Sequence, residues 1–155
     1  MNLNKIITIA AAALLNTAIA GAQSPQLIDS IKGEINLFVA NETGRNGYYK
    51  QKAIADKMGE MADVIGPEAV IAIGDIHHYL GIESVDDPLW MTNYELIYTH
   101  PELMIPWHPV LGNHAYEGNT QAVIAYSSKR RRWQMPARYY TKDWEKDGTT
   151  IRFVK

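Results

Sequence analysis

The sequence contains no cysteine, so it can form neither a disulfide nor a thiolate metal site. It also has little net charge, because 15 Lys and Arg residues are set against 17 Asp and Glu residues. A chain this close to neutral lacks the basic surface of a nucleic-acid-binding protein. We therefore expect no nucleic-acid partner, and any metal site must use carboxylate, imidazole or amide ligands.

The N-terminus carries an apolar segment, residues 6–20, that is too short to span a bilayer comfortably. It follows a polar, basic start and precedes small residues. This order predicts a signal peptide over residues 1–22, cleaved after Ala22, with an uncleaved membrane anchor as the alternative. The predicted product is secreted or periplasmic, has no stable membrane association after cleavage, and consists of one domain over residues 23–155.

The most informative stretch runs from Ala69 to Tyr79. Its apolar run, Ala69–Ile73, is typical of a strand that is buried on both faces. Asp75 then follows a glycine, and His77 and His78 come shortly after it. The carboxyl ends of parallel strands are where ligand sites form, and carboxylate and imidazole groups suit divalent cations. The stretch therefore predicts a metal ligand at the end of this strand.

Two further strands end in the same way. Residues 35–40 lead into Glu42, and residues 107–111 lead into Asn113 and His114. A single polar residue after a strand usually marks only a turn. Three strands that each end in ligand-type side chains favour one shared site.

Helical signals lie between and after these strands. The predicted helices cover Tyr48–Ile65, Pro88–Tyr98 and Thr120–Trp133, the last with Asn119 as its N-cap. The buried face of the first helix is predicted from a 3.6-residue period to consist of Ile54, Met58, Met61 and Ile65. A final strand is predicted over residues 149–154. Alternating strands and helices predict an α/β fold with a parallel sheet and helical crossovers.

Together these motifs resemble the calcineurin-like metallophosphoesterases, and within them the purple acid phosphatases and tartrate-resistant acid phosphatases. The resemblance lies in Asn41–Gly44, Gly74–His78, Gly112–His114, and Arg132–Pro136 before Tyr139. It covers roughly residues 35 to 155. It implies half of a four-layer α/β/β/α sandwich, truncated, because the later family histidines have no counterpart after His114. Residues 23–155 would then be the N-terminal half of the phosphoesterase domain.

The resemblance also implies roles for individual residues. Asp75 would bridge two metal ions, Glu42 and His78 would bind the first, and Asn113 would bind the second. Fe, Zn or Mn, divalent or trivalent, would fit, and the metal identity is not predicted. A slip of one residue would place Tyr79 instead of His78 at the position of the family's tyrosine ligand.

His114 matches the family histidine that contacts the phosphate or protonates the leaving group. Ala115 stands where the family usually has an acidic residue that orients this imidazole, so we expect that hydrogen bond to be missing. His100 and His108 are interpreted as structural. The basic run Lys129–Arg132 is typical of a solvated helix face, with attraction of anionic substrates as the alternative.

The implied function is hydrolysis of small phosphate monoesters at a two-metal site, which is expected to be incomplete in this chain. One alternative is a non-catalytic or degenerate fragment that binds metal or phosphate weakly. A further alternative is a metallophosphodiesterase or nucleotidase. The sequence predicts neither the particular substrate nor the oligomeric state.

Overall fold

The computed structural model describes residues 25–155, with side chains from residue 28 onward. The predicted signal peptide and its cleavage site therefore lie outside the described residues. Among the described helices, none combines the length and apolar character needed to cross a lipid bilayer.

The fold is mixed α/β, as predicted, and its main sheet is parallel. Strand β2 lies between β1 and β3 and pairs in parallel with both. The helices are α1 (Pro25–Lys32), α2 (Gln51–Ile65), α3 (Asn113–Tyr116) and α4 (Thr120–Lys129), with a π-helical turn at Met91–Glu95 and a 3₁₀ turn at Pro101–Leu103. The strands are β1 (Leu37–Ala40), β2 (Ala69–Ala72), β3 (Trp107–Pro109), β4 (Thr141–Lys146) and β5 (Thr149–Val154).

Strand β2 is the centre of the sheet, and all four of its residues are buried. Its side chains alternate between two apolar clusters, because successive residues of a strand point to opposite faces. Val70 and Ala72 pack in the larger cluster, which includes residues of α2 and α4. Ala69 and Ile71 pack against Trp144 of β4 on the other face. The parallel sheet is therefore covered on both sides.

Aromatic side chains fill much of the larger cluster. The Trp90 and Tyr126 rings stack with centroids 3.5 Å apart, and Trp133 meets Trp90 edge to face. The Arg132 guanidinium lies 4.2 Å from the Tyr94 ring centroid. Aromatic contacts of this kind stabilise a core beyond the area that they bury.

Within the basic run only Arg132 is built into the core, whereas residues 129–131 are exposed. Arg132 pairs with Glu95 at 2.9 Å, and its side chain is largely buried. Lys129 pairs with Asp86.

Helix α4 ends within the basic run. Arg130 has extended backbone angles, and Trp133 forms a bridge with Trp107 of β3. The predicted helix end at Trp133 is therefore four residues too late.

The predicted buried face of α2 is wrong at two of its four positions, because Met61 is 55% exposed and Ile54 is 39% exposed. Met58 and Ile65 are half-buried, and Met58 packs against the core. The buried positions carry small or polar residues instead, namely Gln51, Ala55, Gly59 and Ala62. A Cβ at residue 59 would collide with the His100 ring, so α2 packs too closely for large side chains there. His100 is structural, as predicted, because it also caps the 3₁₀ turn.

Two other elements differ from the sequence-based expectation. The helix predicted over Pro88–Tyr98 is regular only over residues 89–95, of which Met91–Glu95 form the π-helical turn. Strand β5 has the predicted bounds, but its partner β4 was not predicted. The two strands form an antiparallel hairpin whose turn residues, Asp147 and Gly148, have φ angles of 49° and 74°. Aspartate followed by glycine is the preferred sequence for such a turn.

The hairpin is expected to depend on Trp144, which is only 7% exposed and packs against the sheet. We predict that Trp144→Ala lowers the free energy of unfolding by about 3–5 kcal/mol, because it removes a large buried ring. Urea denaturation followed by circular dichroism measures this change. Val154→Ala is the matched control, because Val154 lies in the same hairpin and is exposed. Equal losses in both variants would contradict the packing of Trp144.

A pH dependence is expected from His108, which is buried on β3 beside the Trp144 ring. Burial and, less strongly, the Lys142 cation lower the pKa of His108 from 6.5 to about 4. The neutral imidazole is therefore favoured in the folded state, and its contribution to stability is complete above pH 6.5. That contribution is lost as the pH falls from 6.5 to 4.

We predict that His108→Phe flattens the pH dependence of the unfolding free energy by about 1–3 kcal/mol across this window. Urea denaturation at pH 7, 5.5 and 4.5 measures the difference between the variant and the unsubstituted chain. Groups that titrate in both proteins cancel in this comparison. Parallel curves would show that His108 is not held neutral by the fold.

Candidate metal centre

Asp75, His78 and His114 form a compact group of metal-ligand side chains, called here the metal trio. Each offers one ligand atom, and these atoms all lie within 4.8 Å of one another. Asp75 and His78 are buried and follow β2, whereas His114 is half-buried in α3, which follows β3. The parallel pairing of β2 with β3 brings the two loops to the same edge of the sheet.

Two glycines allow the loops that follow β1, β2 and β3 to approach this closely. A Cβ at residue 44 would collide with the backbone of Ile76, and a Cβ at residue 112 would collide with Asp75. Because residue 44 has no side chain, its N–H comes close enough to donate to the Asp75 carbonyl at 3.3 Å. The His114 N–H donates to the Asp75 Oδ1 at 3.1 Å. Asp75 is thus bonded to both neighbouring loops.

Backbone carbonyls fix the orientation of both imidazoles in the metal trio. His78 Nδ1 lies 2.8 Å from the Gly44 carbonyl oxygen, and His114 Nδ1 lies 2.6 Å from the Tyr79 carbonyl oxygen. A carbonyl oxygen only accepts hydrogen bonds, so each Nδ1 must carry the proton. Each Nε2 is thereby the nitrogen available to a metal or to substrate. Ala115 supplies no side-chain acceptor to His114, as expected, and the Tyr79 carbonyl orients the imidazole instead.

Glu42 adds an observation that bears directly on metal binding. Its Oε2 lies 2.9 Å from His78 Nε2, and the carboxylate also pairs with Arg45 at 3.1 Å. A carboxylate accepts hydrogen bonds, and so does the Nε2 of an imidazole whose Nδ1 is protonated. This pair needs a cation, either a proton or a metal ion. The Glu42 carboxylate and the His78 Nε2 are therefore suitable ligands for a bound metal.

The remaining predicted site residues lie around the metal trio. Asn113 is the first residue of α3, next to His114, and it is exposed. Tyr79 is 61% exposed and contributes its carbonyl rather than its ring to the orientation of His114. Of the two candidates for the tyrosine-ligand position, His78 is the one within the metal trio.

A buried polar network behind the site was not predicted from the sequence. The Gln51 side chain accepts hydrogen bonds from the N–H groups of Arg45 and Gly47 and donates to the Asn93 carbonyl. The Asn93 side-chain amide contacts His77. Burial lowers the pKa of His77 to about 3, so His77 is a neutral member of this network. The signal in the sequence was Gln51, a large amide aligned with the small residues of α2.

The chain is similar to several curated phosphatases, although no protein-family model matches it. It is 33% identical to purple acid phosphatase 7 of Arabidopsis thaliana over 102 residues, covering 66% of this chain and 31% of that protein. It is 38% identical to purple acid phosphatase 3 of the same plant over 93 residues, covering 60% and 25%. It is 30% identical to tartrate-resistant acid phosphatase type 5 of Oryctolagus cuniculus over 92 residues, covering 59% and 28%. The chain thus spans about a third or less of the length of these relatives.

A solved structure also shares the fold. The protein described as "GAP50 the anchor in the inner membrane complex of Plasmodium" matches with a TM-score of 0.62 and 16% sequence identity. The match covers 77% of this chain and 40% of that one. At this identity the likeness concerns the fold alone.

The close approach of Gly112 to Asp75 generates a direct test of the metal trio. We predict that Gly112→Ala weakens Zn²⁺ binding to the chain at least tenfold, because the added methyl group displaces the Asp75 carboxylate. Gly112 has extended backbone angles that alanine adopts readily, so backbone strain would not account for the loss. Isothermal titration calorimetry measures the affinity. Gly33→Ala is the control, because its Cβ would meet only an ordinary contact at 3.7 Å.

Proposed function

From the homology of this chain to purple acid phosphatases over about 60% of its length, we propose that it contributes to a two-metal site that hydrolyses phosphate monoesters. The observation that carries the proposal is the metal trio, in which Asp75, His78 and His114 come together from two loops. The names of the curated relatives, all acid phosphatases, favour monoester hydrolysis over the phosphodiesterase and nucleotidase alternatives. The predicted signal peptide favours action outside the cytoplasm.

In the proposed site, Asp75 would serve as a ligand shared by the two metal ions. Glu42 and His78 would hold the first metal, which is consistent with the 2.9 Å approach of their ligand atoms. Asn113 would hold the second metal through its amide oxygen. Bound metal ions would polarise the phosphoryl group and activate water near neutral pH. The family resemblance supplies these assignments, and the position of Asp75 between the two neighbouring loops supports them.

His114 is proposed as the proton donor to the leaving group. Its Nδ1 is bound to the Tyr79 carbonyl, so Nε2 is the nitrogen that can carry a proton to a substrate oxygen. Proton donation by a positioned imidazole typically accelerates such a step by about 10²–10⁴-fold. The half-buried position of His114 at the edge of the metal trio leaves it accessible to a bound ester.

One specific observation favours the alternative of a non-catalytic metal-binding domain. Only Asp75 and Asn113 are assigned to the second metal position, which is fewer ligands than a catalytic two-metal site normally uses. In this alternative, the first metal binds through Glu42, Asp75 and His78 without turnover.

One set of variants separates these two functions. If the proposed function is correct, the chain binds metal and hydrolyses p-nitrophenyl phosphate, and Asp75→Asn loses both properties. His114→Asn should retain metal and lose turnover by about 10²–10⁴-fold. Metal content by mass spectrometry and steady-state kinetics measure these outcomes.

Asp147→Asn is the matched control for Asp75→Asn, because it makes the same chemical change in the β4–β5 turn, where asparagine is equally suitable. Metal binding without turnover in the unsubstituted chain would establish the non-catalytic alternative. Failure to bind any of Fe, Zn or Mn would contradict both functions.

A further inference from the structure

The Gln51 side chain is the centre of the buried polar network behind the site, and Gln51 is only 5% exposed. Its amide oxygen accepts the Arg45 N–H at 3.1 Å and the Gly47 N–H at 2.7 Å. Its NH₂ group donates to the Thr43 carbonyl and, at 2.8 Å, to the Asn93 carbonyl. A side-chain amide has two donor hydrogens and an oxygen that accepts twice, so all of its hydrogen bonds are made inside the protein.

Two of these bonds act on the peptide units on either side of Gly44. A peptide unit is planar, so its C=O and its N–H turn together. The Thr43 carbonyl belongs to the same unit as the Gly44 N–H, which donates to the Asp75 carbonyl. The Arg45 N–H belongs to the same unit as the Gly44 carbonyl, which lies 2.8 Å from the His78 Nδ1. Each unit is therefore bonded to the buried amide at one end and to a residue of the metal trio at the other.

Gly44 makes this support necessary. A Cβ at residue 44 would collide with the Ile76 backbone, so the position requires glycine. Glycine restricts its own φ and ψ angles least of all residues, so hydrogen bonds must fix the orientation of the peptide units beside it. The Gln51 amide supplies a bond to each unit. The Tyr98 hydroxyl adds one more, to the Thr43 carbonyl at 3.2 Å.

The orientation of the Gly44 carbonyl determines which nitrogen of His78 is free. This carbonyl accepts the Nδ1–H, so the Nε2 lone pair is left for a ligand on the side of Glu42, 2.9 Å away. Hydrogen bonds in a chain polarise one another, so the bond from the Arg45 N–H to Gln51 makes the carbonyl of the same peptide unit a stronger acceptor. A firmly oriented imidazole is in turn a better metal ligand.

We propose that Gln51 is a positioning residue of the metal trio, which fixes the peptide units on both sides of Gly44 and through them the His78 imidazole. This inference rests on the proposed function, because it concerns the metal site of that function. Gln51 bonds only to backbone groups of its own network, so it takes no part in proton transfer. Its loss is expected to weaken metal binding while every ligand side chain remains in the chain.

The first test is Zn²⁺ affinity, measured by isothermal titration calorimetry. Gln51→Met replaces the amide by an apolar side chain of similar length. It is expected to weaken Zn²⁺ binding about tenfold, the lower end of the usual effect for residues that orient metal ligands. An affinity equal to that of the unsubstituted chain would overturn the inference.

Asn36→Leu is the matched control, because Asn36 is a side-chain amide at the other end of α2. It donates to the Ile31 and Ile65 carbonyls at 2.7 and 3.0 Å. Its replacement therefore also leaves backbone carbonyls without a partner, but none of them belongs to the loops of the metal trio. Asn36→Leu should bind Zn²⁺ as the unsubstituted chain does, and a loss equal to that of Gln51→Met would overturn the positioning role.

A second test uses the unsubstituted chain and decides the matter even if Gln51→Met does not fold. Coupling between two sites is reciprocal, so bonds that raise Zn²⁺ affinity about tenfold are themselves stabilised about tenfold by bound Zn²⁺. Hydrogen exchange of the Arg45 and Gly47 N–H groups, followed by NMR, should therefore slow about tenfold at saturating Zn²⁺. The Met135 N–H, which donates to the Ser127 hydroxyl at 2.9 Å, is the control and should slow less. Equal slowing at all three groups, or none, would overturn the inference.

The proposed function fails in a different way from the role of Gln51. If the chain binds no Zn²⁺, or if Asp75→Asn binds it as well as the unsubstituted chain does, the metal trio is not a metal site and the inference fails with it. If Zn²⁺ binding depends on Asp75 but Gln51→Met binds Zn²⁺ equally well, the metal site stands and only the positioning role is overturned.

Discussion

The site depends on the close packing of three loop backbones around Asp75. The Gly44 N–H and the His114 N–H both bond to Asp75, and Gly112 lies against it with no space for a side chain. This packing is possible only because β1 and β3 flank β2 in parallel, so that the loops emerge at the same edge. The sheet order and the two glycines together therefore bring the candidate ligand side chains of the metal trio to one place.

Much of this arrangement could be predicted from the sequence, because its signals are local. Strand β2 is a short apolar run that ends at a glycine and a carboxylate, which predicts both its burial and the position of Asp75. His78 and His114 follow strand ends in the same manner. The Asn119 N-cap is also local, and its side chain accepts from the N–H groups of Gln121 and Ala122. The α/β class then follows from the alternation of elements.

What could not be predicted depends on contacts between distant parts of the chain. The buried face of α2 is set by the His100 ring against Gly59, so the period of large apolar residues wrongly included Ile54 and Met61, which are exposed. The orientation of His114 comes from a backbone carbonyl, and any residue at position 79 would supply one. Strand β4 has polar residues at most positions, and only Trp144 anchors it to the sheet. The Asp147–Gly148 turn was its one clear local signal.

The loop between β1 and α2 holds the His78 imidazole from two sides. It supplies the Gly44 carbonyl and the Glu42 carboxylate on the two sides of the His78 imidazole, and it also carries Tyr48 and Tyr49. Both of these partners only accept hydrogen bonds. The contact between the His78 Nε2 and Glu42 is therefore favourable only when a proton or a metal ion lies between them. The side chain of Gln51 holds the same loop through two N–H groups. A cation at Glu42 would thus be held by a loop that this buried side chain ties to α2.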